Sequence, residues 1–192
     1  AQPLLAALSF RDRAVRYSAA VAIANAGPRE NFNEARLVVE NLSAALSQKE
    51  EASADMTNWT AEMGDSYALR SVQALLKVAV SRNPVINLSL AQPALIEAAT
   101  GQRKDLQVLA GQTLAYLNSP NAQRAIANVA LDANEDMDIR IEAFASLANS
   151  AKLHGDLLSG AIVDRIYELV SSDQTDPDLR ATAAAAYGSL NL

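Results

Sequence analysis

The stretch at residues 136–147, DMDIRIEAFASL, constrains the fold most, because imperfect copies of it recur along the chain. An acidic turn comes first, then Ile139 directly followed by Arg140, then Ala143 and Leu147. On a helix Ile139, Ala143 and Leu147 share one face, and the small middle residue lets a neighbouring helix approach closely. The spacing returns as Asp12, Val15, Arg16, Ala19 and Ile23, and as Asp176, Leu179, Arg180, Ala183 and Tyr187. With glutamine for arginine it gives Leu106, Gln107, Ala110 and Leu114. A looser copy, Asp65, Ala68, Leu69, Val72 and Leu76, keeps only the apolar spacing. The arginine position falls at 16, 69, 107, 140 and 180, at intervals of 53, 38, 33 and 40 residues. Such a period marks helical pairs that each bury one face on the next.

The expected fold is therefore all-α: a right-handed α-solenoid of about five stacked antiparallel helix pairs. Its 39 alanines suit close helix packing, and 7 glycines and 6 prolines serve as punctuation. One repeat domain over 1–192 is expected, with repeats at about 1–28, 29–83, 84–119, 120–151 and 152–192. An acidic insertion at 48–66 accounts for the long first interval. Helices are expected at 2–9, 12–25, 33–48, 67–80, from about 93, and at 106–117, 122–131, 137–149, 158–170 and 179–190. Gly27 and Pro28 stop the second of these, Asn31 or Asn33 caps the third, and Asp176 with Pro177 opens the last. The chain begins at Ala1 without a leader, which predicts a mature form or a fragment of a longer protein. Its last helix lacks a polar outer face, as if truncated there or covered.

A formal charge of −6 opposes binding of nucleic acid or an anionic membrane through bulk attraction. No apolar run approaches the roughly 20 residues a transmembrane helix needs. The absence of cysteine removes disulfides, thiol nucleophiles and thiolate metal ligands.

Acidic turn, aliphatic–arginine pair and alanine-rich second helix together resemble HEAT and HEAT-like repeats of the phycobilisome-lyase type, over nearly the whole chain except 48–66. That resemblance implies a curved stack of helix pairs holding another macromolecule. It also implies that the recurrent arginine pairs with an acid of a neighbouring turn, giving a structural ladder of Asp12, Arg16, Asp136, Arg140, Asp176 and Arg180. Enzymes exist on such scaffolds, and two stand as alternatives: a DNA glycosylase, which requires a basic groove, and a bilin lyase.

Candidates for chemistry each have a plainer explanation. Asp132, Asn134, Asp136 and Asp138 alternate like the first half of a calcium loop, but Met137 and Ala143 stand where that loop needs glycine and a bidentate glutamate. Acids capping an inter-helix turn explain them. His154 is the lone histidine, expected in a solvated loop. No catalytic residue, metal site or cofactor is expected.

The residues one, five and eight positions after the arginine are, apart from Gln112, without charged or amide side chains too: Tyr17, Val21 and Ala24; Val108, Gln112 and Ala115; Ile141, Ala145 and Ala148; Ala181, Ala185 and Gly188. A helix apolar all round is buried, or else it offers a groove to a helix or extended peptide. Trp59 and Met56 in the insertion pose the same choice between an interface anchor and a residue folded back on the second repeat. The expected function is a noncatalytic scaffold binding a protein or peptide through Tyr17, Val21, Val108, Gln112 and Ile141, through Trp59 and Met56, or through both. A purely structural segment of a larger assembly is the remaining alternative.

Overall fold

The computed structural model describes residues 2–48 and 59–190, and every regular element among them is helical. The chain forms two compact units, Ala1–Ala98 and Ala99–Leu192.

The first unit holds α1 (Gln2–Ala7), α2 (Arg13–Ala26), α3 (Ala35–Ser47) and α4 (Ala61–Val80), then a 3₁₀ turn (Leu88–Ala91) leading into α5 (Gln92–Ala99). Helix α2 packs on α1, α3 and α4, and α3 packs on α4. Val38, Val39 and Leu42 of α3 and Val72 and Leu75 of α4 fill the centre, with Ala20 and Ala24 of α2 permitting the close approach. Asp12 accepts hydrogen bonds from the Ala14 and Val15 amides and so starts α2. Gly27, at φ +62°, ends it with its amide on the Ala24 carbonyl.

Three local expectations are corrected here. Helix α3 begins at Ala35 behind Glu34, with no side-chain cap, so neither Asn31 nor Asn33 caps it. Helix α4 begins at Ala61, six residues before the expected start, because Thr60 supplies an N-cap to the Met63 amide. Residues 61–66, AEMGDS, hide that turn, since they carry no apolar period. Val15, expected in the apolar stripe with Ala19 and Ile23, is 38% exposed.

The second unit holds α6 (Lys104–Leu114), α7 (Pro120–Leu131), α8 (Met137–His154), α9 (Gly160–Ser171) and α10 (Pro177–Ser189). Helix α8 is central, touching α6, α7 and α10, while α9 packs on α10 and α7. Phe144 and Leu147 of α8 are fully buried with Leu114 of α6, Ile126 of α7 and Ile166 of α9. Ser119, Asp136 and Asp176 cap α7, α8 and α10, and Pro120 and Pro177 occupy the first turns. Helix α8 runs to His154, five residues beyond the expected end, so the histidine closes a helix and is half-buried. Both units share one plan, in which a short first helix crosses back into a longer second helix and second helices lie side by side: α2 on α4, and α6 on α8 on α10.

Candidate functional site

The second helices α2, α8 and α10 each begin with a polar bracket. Asp12, Asp136 and Asp176 all turn their carboxylates onto the amides of their own first turn. Arg140, 9% exposed, donates from Nε to the Ala130 carbonyl at 3.1 Å, in the last turn of α7. Arg16 donates to the carbonyls of Phe10 and Arg11 at 2.9 and 2.8 Å and to Asn41 Oδ1 at 3.3 Å. Arg180 reaches Asp173 at 3.2 Å. The ladder is thus corrected at Arg140, whose partner is the Ala130 carbonyl rather than an acid, while Arg180 meets an acid of the neighbouring turn, Asp173 in place of Asp176. The physical reason is that a helix start needs acceptors for its free amides, while the preceding helix end presents free carbonyls that suit a cation.

Asp136 has a second partner. Lys104 at the start of α6 pairs with it, and this hydrogen bond, with the Asp138 amide behind it, holds the Asp136 carboxyl below its ordinary range. The same bond raises Lys104. Asp105 is likewise lowered, first by the hydrogen bond from Arg103. In the turn once weighed as a calcium loop, Asp132 accepts the amide and side-chain N–H of Asn134. Those oxygens work inside the turn. Among the described residues no three or more His, Asp or Glu side chains are placed to hold a metal ion.

Two buried amides escaped sequence reading. Gln123 on α7, with no exposed surface, donates to Ser150 Oγ and the Gly155 carbonyl and accepts the Leu157 amide at 2.7 Å. It ties the α8–α9 loop to the preceding helix. Asn41 on α3 donates to the Leu8 and Leu37 carbonyls. Their only sequence signal is a polar residue on an otherwise apolar helical face. Gln107, which replaces arginine in the third copy, is buried and donates to Glu135 Oε2 at 2.8 Å.

The partner-binding candidates separate into two groups. Tyr17 and Val21 are each 5% exposed and belong to the core of the first unit. Trp59 is half-buried: it stacks on Tyr67 of α4 at 5.5 Å, meets Tyr17 edge-on at 6.0 Å, and carries the Arg13 guanidinium 4.3 Å from its ring centre. Of the two arrangements open for Trp59, the structure shows it folded back on its own helices. Met56 lies outside the described residues. In the second unit Val108, Gln112 and Ile141 remain half-exposed on α6 and α8, with Ala145 exposed beside them. Val108 and Gly111 of α6 face Ile139, Ala143 and Ser146 of α8 across a cavity of about 10 Å³, the size of one water.

No protein-family model and no curated protein matches the sequence. Solved structures do resemble the fold. A designed armadillo repeat protein, in complex with the peptide (KR)4, superposes with a TM-score of 0.55 at 17% identity, over 98% of this chain and 81% of its own. An engineered protein gives a TM-score of 0.53 at 18% identity, over 98% and 78%. A second engineered protein gives 0.51 at 20%, over 97% and 79%. At such identities the likeness speaks for architecture alone, and with the helix pairs above it establishes an all-α helical-repeat fold.

Proposed function

We propose that this chain is a noncatalytic repeat scaffold of HEAT-like type that binds another protein or a peptide, and neither nucleic acid nor membrane. The observation that carries the reading is the half-exposed row Val108, Gln112 and Ile141 on neighbouring second helices. Val108 and Ile141, apolar and at equivalent positions of adjacent helices, offer a bound segment a repeated contact at roughly the 8–10 Å helix spacing, with the Gln112 amide beside them. The equivalent row in the first unit, Tyr17 and Val21, is taken up by packing, which supports looking for the surface in the second unit. Two facts support a peptide or protein as ligand: a designed repeat protein of similar fold is known in complex with the peptide (KR)4, and the chain's −6 charge disfavours polyanions. The polar groups that the structure brings together hold helix ends and loops, which supports the noncatalytic reading.

The test is affinity capture from the source extract with wild-type chain and with Ile141→Glu and Gln112→Lys, after confirming equal helicity and melting. The reading expects a protein retained by the wild type and lost from the folded variants. Equal retention by all three, or retention of duplex DNA at moderate salt, overturns it.

A further inference from the structure

We propose that the segment held by the row of Val108 and Ile141 is a basic one, an extended stretch in which lysine or arginine alternates with an apolar residue. The proposal rests on the reading of that row as the binding surface and adds to it the chemistry of the partner.

The face is built by register. Asp138, Ile141, Glu142 and Ala145 stand at i, i+3, i+4 and i+7 of α8 and so share one side of the helix. All four are exposed except Ile141, which is half-exposed. Asp105, Val108, Leu109 and Gln112 hold the matching positions of α6, which packs against α8. Val108, Leu109 and Gln112 are half-exposed.

The two edges of this face differ in charge. On α6, Asp105 is engaged by Arg103 at 2.6 Å, and the three residues that follow in the register carry no charge. On α8, Asp138 and Glu142 are exposed, and among the described residues neither carboxylate has a hydrogen bond or an ion pair. Lys104 does not neutralise them, because its ammonium pairs with Asp136. That hydrogen bond is the first cause that raises Lys104, and the charges of Asp138 and Glu135 raise it further, so one lysine stands against three acids. The first unit has no such edge: the positions of Asp138 and Glu142 are held by Ala14 and Ser18 on α2 and by Tyr67 and Ser71 on α4.

Charge and spacing together select the occupant. Asp138 and Glu142 are about 6 Å apart along the axis of α8, and alternate side chains of an extended chain are about 6.6 Å apart on one edge. A segment lying along the two helices sets successive basic side chains on Asp138 and Glu142. The residue between them turns to the other edge, where Val108 and Leu109 receive an apolar side chain. An acidic segment would meet two uncompensated carboxylates and be refused.

The test titrates the full chain with three short synthetic peptides, alternating lysine and valine, lysine and serine, or glutamate and valine, by fluorescence anisotropy. The lysine–valine peptide binds most tightly and weakens as salt is added. Asp138→Asn with Glu142→Gln weakens it about tenfold. Asp164→Asn with Glu168→Gln, the same change of charge at exposed sites of α9, leaves it unchanged. Ile141→Ser weakens it too, and all three variants keep the wild-type helicity and melting curve. Binding that survives in the Asp138 and Glu142 variant but falls in Ile141→Ser, or equal binding of the glutamate–valine peptide, overturns the basic partner and leaves the row standing as a surface. Binding unchanged by Ile141→Ser overturns the row and this proposal with it. Binding of none of the three peptides overturns the proposal alone, since capture of another protein still tests the row.

Discussion

Gln123, Gly111 and the Lys104–Asp136 pair show how far single side chains decide stability here. Removing the Gln123 amide while filling its space, as in Gln123→Leu, leaves the part-buried Leu157 amide and Gly155 carbonyl without this partner. A fully buried orphaned group costs about 1–3 kcal/mol and these are part-buried, so urea unfolding should show a loss of about 2 kcal/mol. Gly111 sits within α6 at the wall of the small cavity, and an added methyl would meet only Ser146 Oγ, at 3.9 Å. Gly111→Ala should therefore gain about 1 kcal/mol from helix propensity, with no steric cost, measured the same way. For Asp136 the folded carboxyl titrates below its unfolded value, so its contribution is present above the ordinary carboxylate range and is lost as pH falls through the lower folded value. Lys104 titrates above its unfolded value, so its share persists up to the ordinary lysine range and is lost only as pH rises past the higher folded value. Asp136→Asn keeps an N-cap oxygen but removes the pair. Its stability should fall less steeply than the wild type's in acid, and equal slopes in the two proteins would show that the pair contributes nothing.

Among the elements, the recurrent arginines divide by burial. Arg140 is buried and binds the end of α7, whereas Arg180 is part-exposed and reaches the 96% exposed Asp173. Arg140→Met should cost about 2 kcal/mol, the range for a hydrogen bond to a charged group. Arg180→Met should cost less than about 0.5 kcal/mol, as exposed pairs do. Equal costs by chemical denaturation would mean that the sequence motif, rather than its surroundings, sets the strength. Helix starts behave more uniformly: Asp12→Ala should cost about 1 kcal/mol and Asp12→Asn only a few tenths, since asparagine offers the same oxygen to the Ala14 and Val15 amides. The cap of α10 was legible because Asp176 followed by Pro177 is a local start signal, whereas the same kind of signal at Asn31 and Asn33 caps nothing. The N-cap of α4 was missed because Thr60 precedes a turn without an apolar period.

At the scale of the molecule, each unit encloses its own apolar side chains, Leu42 and Leu75 in one, Phe144 and Leu147 in the other. A fragment of residues 99–192 should accordingly keep helical circular dichroism and melt cooperatively, and a fragment without a cooperative transition would refute that autonomy. The sequence by itself determined the all-α repeat plan, because the spacing Ile139, Ala143, Leu147 and its copies, with Asp caps and Gly27 or Pro punctuation, act within a turn or two of helix. Only the tertiary structure decided which of the similar apolar faces are used up. Tyr17 and Val21 are buried where Val108 and Ile141 are half-open, and Arg140 takes a carbonyl where Arg180 takes a carboxylate. Burial depends on the neighbour that a face meets, and a repeated motif carries the same residues whether or not that neighbour is present.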